Sequence, residues 1–176
     1  AAYVQYLLPV SNGLTIQLKN NGFSYDTYLR TTDEQGAPWY QYHRIDVELL
    51  GASPTAQLIP AAPAPDVLHY YTHQAAVQVK HFQKVTYKNI YPSIDLEFKV
   101  HAAADKPVEY NFILHPGACV SDIRLRYTGA MAATLLNGQL QLRVAHGHLT
   151  EHIPLSYWAE NGQVEEIRYQ IIQPFA

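Results

Sequence analysis

Asn-Gly pairs at 21–22, 137–138 and 161–162 each stand beside runs in which apolar and polar residues alternate. Period-two alternation gives a strand one face for a core. Asn-Gly between two such runs is the backbone chemistry of a tight hairpin. Leu14-Ile16-Leu18 leads into the first pair, and Phe23-Tyr25-Thr27-Leu29 leaves it. Thr134–Leu136 and Leu140-Leu142-Val144 flank the second, while Val164 and Ile167-Tyr169-Ile171 follow the third. The stretch from Asn89 to Tyr127 adds three more alternating runs: Ile94-Leu96-Phe98-Val100, Val108-Tyr110-Phe112-Leu114 and Ile123-Leu125-Tyr127. No segment supports a helix longer than about two turns. The expected fold is all-β, an antiparallel sandwich-like packing of two layers that buries these one-faced strands.

Several boundaries follow from turn chemistry. Residues 3–8 read as a strand ended by Pro9, and Ser11-Asn12-Gly13 as a turn. Residues 31–38 read as a loop, and Tyr40 to Leu50 as a strand with Tyr42, Arg44, Asp46 and Glu48 on one face. Residues 51–66 hold four prolines and five alanines, which excludes an ordinary helix or a central strand there. They read as a surface connection. Val67 to Ala76 fits either one helical turn or irregular chain, and strand character resumes at Val77-Val79-His81 and Val85-Tyr87. A chain of 176 residues suits one β-rich domain over 1–176, or two packed subdomains, 1–50 and 77–176, joined by 51–66.

Charge narrows the partners. Lys and Arg total 12 against 15 Asp and Glu, for a formal net charge of −3. The basic residues are scattered, which argues against a nucleic-acid or anionic-membrane binder. No apolar run is long enough for a membrane-spanning helix. Ala1-Ala2-Tyr3 lacks the charged start and apolar run of a signal peptide, as a mature chain would. Cys119 is alone, so no internal disulfide forms. The 14 tyrosines suit pleated surfaces, or an exposed interaction face.

Among nine histidines, His146, His148 and His152 beside Glu151 have the closest metal-like spacing, but Gly147 breaks the strand face between the first two. His69 and His73 have helical spacing without a convincing helix. Asp95, Glu97 and Glu109 offer paired carboxylates for hydrolysis, yet the same residues fit an ion-pair lattice with Arg124 and Arg126 if these strands are neighbours. Cys119 lies four residues from His115 across a turn and reads as a passive thiol. No glycine-rich phosphate loop opens a helix. No catalytic, cofactor-binding or metal set is assigned. Trp39, Tyr40 and Tyr42 stand beside one loop, and Tyr157 and Trp158 beside another; these rings either cap the core or meet a partner.

Tyr87, Ile90, Tyr91, Pro92, Ile94, Asp95 and Leu96 form a first motif. Glu109, Tyr110, Phe112, Pro116, Gly117, Ala118, Ile123 and Leu125 form a second. Gly138, Leu140, Gly147, Leu149, Glu151, Pro154 and Tyr157 form a third. Together they resemble the N-terminal β-rich module of large secreted bacterial proteins. Such proteins often carry SBBP-type β-propeller repeats, PKD-like domains or gliding-motility and type IX secretion sorting domains. The resemblance is specific from 87 to 157 and looser before it. Asn111 stands where that pattern has Asp.

That resemblance implies an extracellular or cell-surface setting, other domains of the same parent protein as partners, and no catalytic residues. The expected function is a non-enzymatic structural or interaction module supporting adhesion. The alternative is a carbohydrate-binding module using exposed aromatics, with a surface protein or glycan as the outside partner. Tyr91, Pro92, Asp95, Glu109, Tyr110, Pro116, Gly117, Arg124, Glu151 and Pro154 are expected to specify the fold.

Overall fold

The structure, a computed structural model, describes residues 4–10, 13–71, 76–100, 108–153 and 155–172. The predicted all-β antiparallel fold is observed. Sheet A has strand order β1-β2-β3-β4-β9. Its strands are β1 (Val4–Val10), β2 (Leu14–Lys19), β3 (Gly22–Thr32), β4 (Pro38–Leu49) and β9 (Leu125–Thr128). Sheet B runs in order through β5 (Gln57–Tyr71), β6 (Ala76–Tyr91), β7 (Ile94–Val100) and β8 (Val108–Leu114). Sheet C comprises β10 (Ala132–Leu136), β11 (Gln139–Val144) and β12 (Gly147–Glu151). A two-stranded hairpin, β13 (Ser156–Tyr157) and β14 (Val164–Glu165), follows. Every pairing is antiparallel.

Alternation decides which side chains meet. Leu18, Phe23, Ile45 and Val47 of sheet A, Tyr87, Ile94, Leu96 and Phe98 of sheet B, and Leu140 and Leu142 of sheet C share one buried cluster. Phe23 and Phe98 meet edge to face across the two larger sheets, with ring centroids 5.1 Å apart. Tyr110 closes on both at 5.6 Å. Two tyrosines reach across the core because their hydroxyls find backbone partners. Tyr87 donates to Gly22 O at 2.8 Å and accepts from Lys19 N–H. Tyr91 donates to Arg124 O at 3.1 Å. Burial raises both phenols, that of Tyr91 to about 12, so both stay protonated donors.

The turns divide by mechanism. Asn137 and Gly138 both have positive φ in the two-residue turn between β10 and β11, as an Asn-Gly hairpin requires. Gly22 instead lies in β3, opposite Glu48, and a Cβ there would come within 2.1 Å of Val47 O. It is needed for close backbone approach, and the loop itself is Asn20-Asn21. Pro92 and Ser93 link β6 to β7, with Ser93 at φ +56°.

Five expectations are corrected. The Pro-rich surface connection at 51–66 is a strand from Gln57 onward. β5 accommodates Pro60, Pro63 and Pro65 because it is the edge of sheet B, where a missing N–H breaks no interior ladder. Val67–Tyr71 continues that strand instead of forming a helical turn or irregular chain; 72–75 lie outside the described residues. The expected loop at 31–38 shrinks to 33–37, because β3 and β4 stay paired out to Thr32 and Pro38. The third central run joins sheet A through β4 while the other two lie in sheet B, so Arg124 and Arg126 are not cross-strand neighbours of Asp95 and Glu109. Arg126 pairs with Glu48 at 3.1 Å. The last hairpin is shorter than its alternation implies, and Ile167–Ile171 is not strand.

Candidate functional site

The β3–β4 hairpin overhangs its sheet. β2 pairs with β3 as far as Thr27, and β9 meets β4 between Asp46 and Leu49. Beyond those limits Tyr28–Thr32 and Pro38–Tyr42 continue as a two-stranded ribbon. Tyr28 is paired with Tyr42 and Arg30 with Tyr40, so these four side chains share one face. The three rings form a contiguous cluster, with Tyr28 centroids 5.9 Å from both partners and Tyr40 stacked on Tyr42 at 6.1 Å and 23°. Tyr42 is 70% exposed. Leu29 and Trp39 occupy the opposite face, also exposed. Trp39, Tyr40 and Tyr42 therefore do not cap the core.

The Tyr28–Tyr42 face continues along the sheet as a polar lattice. Arg44 donates to Asp46, Gln17 and Ser24 and lies 3.5 Å from Asp26. Gln17 donates to Asp26, and Lys19 and Ser24 donate to Asp46. Burial would raise the Asp46 carboxyl, but the bonds from Lys19, Ser24 and Arg44 outweigh it and hold the group at about 2. A depression of about 450 Å³ lies beside this lattice, lined in part by Lys19, Asn21, Arg44, Asp46 and Glu48.

Tyr157 and Trp158 stand exposed on the β13–β14 hairpin, where Trp158 Nε1 donates to Glu165 at 3.4 Å. No described contact joins them to the ribbon.

The carboxylates of β7 are engaged by cations. Asp95 accepts from Lys88 at 2.6 Å, His115 at 3.0 Å and the Asn89 N–H at 2.8 Å. Asn89 has φ +51° in a bulge of β6, so Asp95 fixes the backbone there. Glu97 sits between Lys84 and Lys99, each 2.9 Å away. Burial opposes ionisation at both, and the cations and hydrogen bonds win, holding both carboxyls below their ordinary range. Glu109 accepts from Asn111 at 2.8 Å. The expected ion-pair lattice exists with lysines and a histidine in place of the two arginines.

Glu151 is the reverse case. It alternates inward with Leu149 on β12 while His148 and His152 are exposed, so it cannot join them at a metal. Its Oε2 accepts from Tyr110 at 2.7 Å and Tyr127 at 2.8 Å, with Tyr169 at 3.4 Å. Tyr25 faces the same carboxyl. Burial raises the Glu151 pKa, and the phenolic bonds offset this only in part. Five side chains from β3, β8, β9, β12 and the C-terminal segment thus meet at one buried point.

Among the described residues, no three His, Cys, Asp or Glu side chains gather as a metal-binding group. His73 and Pro154 lie outside the described residues. Cys119 is exposed, its thiol 3.1 Å from Ser121. Pro116-Gly117 makes the turn after β8, with Gly117 at φ +88°.

Sequence reasoning missed Tyr28, the partner of Tyr42. Their equal spacing on either side of Gln35, the centre of the β3–β4 turn, carried that signal. It also missed His43, which bridges sheets A and C through Gly129 O at 2.9 Å and Ala145 N at 3.3 Å. No spacing rule exposes that contact.

No helix among the described residues is long and apolar enough to cross a membrane. Comparison with curated proteins and with solved structures finds no match in either. A family model does match, over residues 1–173, which is nearly the whole chain. The chain therefore belongs to the family described as domain of unknown function DUF7948.

Proposed function

We propose that this chain is a non-enzymatic interaction module of a larger extracellular or cell-surface protein, with the β3–β4 ribbon as its docking surface. The observation that carries this is the exposed Tyr28-Tyr40-Tyr42 cluster on the ends of β3 and β4, beyond the pairing with β2 and β9, where no other described strand flanks them. Clustered tyrosines supply rigid contact area at low entropic cost. The carboxylates that a hydrolase would use point the same way: Asp95 and Glu97 are ion-paired with depressed pKa values, whereas a general acid needs a raised one. The resemblance of residues 87–157 to a module of secreted bacterial proteins supports the setting, with neighbouring domains of the parent chain as partners.

A docking residue contributes little to stability, whereas a capping residue contributes much. Replacing Tyr28 and Tyr42 together with Ser is expected to shift the melting temperature by no more than about 2 °C. A fall of about 8 °C or more would make the cluster structural and end this reading.

A further inference from the structure

We propose that the ribbon face binds an uncharged oligosaccharide. This rests on the ribbon being a docking surface and names the chemistry of what docks there.

Three features of the same face point to that ligand. The first is the tyrosine cluster, whose rings give flat apolar patches edged by hydroxyls. A sugar ring has the matching character, with C–H faces and a hydroxyl rim. The second is charge. Along the strands from Tyr42, the lattice holds Lys19, Arg44 and Arg126 against Asp26, Asp46 and Glu48, paired among themselves. Three cations cancel three anions, so the lattice itself offers hydrogen-bonding groups without a net field, and Arg30 adds a single positive charge at the ribbon end. A phosphate, a sulfated glycan or a nucleic acid would need a basic excess there.

The third is extent. Tyr40 to Glu48 is nine residues of one extended strand, roughly 27 Å from end to end. Every second side chain on it is a tyrosine, an arginine or a carboxylate. A strip of that length fits a chain of sugars better than a single small molecule. The depression lined by Lys19, Arg44, Asp46 and Glu48 lies toward its far end. Asp46 and Arg44 keep about half their side-chain surface exposed, 50% and 43%, so their remaining hydrogen-bonding capacity faces outward.

Arg30 sharpens the proposal. It is exposed beside Tyr40 on the same face and takes part in none of the described ion pairs. An anionic ligand would use it, and an uncharged one would not depend on it.

The test is a glycan array carrying neutral, sulfated, sialylated and uronic-acid oligosaccharides, followed by calorimetric titration of the hits. Wild type, Tyr42→Ser and Arg30→Gln are compared at physiological salt, each with a melting curve. Binding of neutral oligosaccharides is expected, weakened about tenfold or more by Tyr42→Ser and changed less than about threefold by Arg30→Gln. Binding confined to anionic glycans and lost in Arg30→Gln would overturn the proposal. So would neutral-glycan binding that Tyr42→Ser leaves intact. A null array would also overturn it, and sedimentation would then show whether a second copy of the chain covers the ribbon. A null array with an unshifted melting curve for Tyr42→Ser removes the sugar and leaves the docking surface standing; a large melting shift removes both.

Discussion

Asp95 and Glu151 are both almost wholly buried, at 1% and 6% exposure, and they are held by opposite physics. Asp95 points to the outer face of sheet B, where Lys88 and His115 fold over it with their own heads still half in water. Its charge is matched, so it remains ionised. Glu151 points into the junction of the three sheets, where phenols surround it. Phenols donate hydrogen bonds but bring no positive charge, so desolvation dominates and favours the protonated acid. Its Oε1 is buried with no partner among the described residues. The same residue class thus fixes register at an exposed bulge through charge, and ties sheets together inside through neutral hydrogen bonds.

Removing the interior acid should cost most. Glu151→Ala leaves the hydroxyls of Tyr110 and Tyr127 without their acceptor and opens a hole at the meeting point of five elements. About 3–4 kcal/mol is expected from buried unpaired groups plus a cavity, read from urea unfolding. A loss below about 1 kcal/mol would mean that the tyrosines repack among themselves, and that the cluster does not hold the sheets.

The two acids should also give opposite pH slopes. A carboxyl raised in the fold binds its proton more tightly there than in the unfolded chain. Glu151 therefore contributes fully below its ordinary value near 4.5, and that contribution is lost as pH rises through the raised value. Asp95 and Asp46 are lowered in the fold. Their contribution is present above about 3.8 and lost as pH falls, for Asp46 through about 2. Glu151→Gln should flatten the decline of stability above pH 4.5 and leave the acid limb unchanged. Asp95→Asn should weaken the acid limb and leave the other. If both variants changed the same limb, the contrast between the two sites would be wrong.

At pH 7, Asp95→Asn is expected to cost about 1–2 kcal/mol, since the Oδ1 that accepts from Asn89 survives while the bonds from Lys88 and His115 lose their charge. Because Lys88 and His115 are each about half exposed, salt should reduce that cost. A cost that stayed constant from low to high salt would move the effect from the ion pairs to the bulge at Asn89.

The strands were legible because alternation is local. Ile94-Leu96-Phe98 must share a face whatever lies beside them, and the turn at Asn137-Gly138 follows from two residues alone. Pairing between distant strands was not legible. Nothing within IRLRY states that it will join β4 and not β8, so the arginines were expected beside the wrong carboxylates. β5 was misread for a related reason. Prolines exclude the centre of a sheet, and they permit its edge, which only the completed topology reveals. Glu151 was partly legible: its place after His148 and Thr150 sets it inward with Leu149, but four tyrosines from other segments had to be folded in to explain it. The ribbon was half legible, since exposure of Tyr42 depends on where β2 and β9 stop.

Glu97 gives the finest test of the comparison. It is also buried and also on β7, yet its cations, Lys84 and Lys99, come from the paired strand β6 and from β7 itself. No backbone bulge depends on it, in contrast to Asp95. If charge matching alone explains these acids, Glu97→Gln should cost only about 0.5–1 kcal/mol, mostly removed by salt, because each lysine can turn its exposed head to water. Calorimetric melting at two ionic strengths would read it. A cost as large as that of Asp95→Asn would show that burial under the lysine stems, and not the bulge, sets the weight of an outer-face acid. A cost near zero at low salt would place all the weight of this face on the single bond between Asp95 and Asn89.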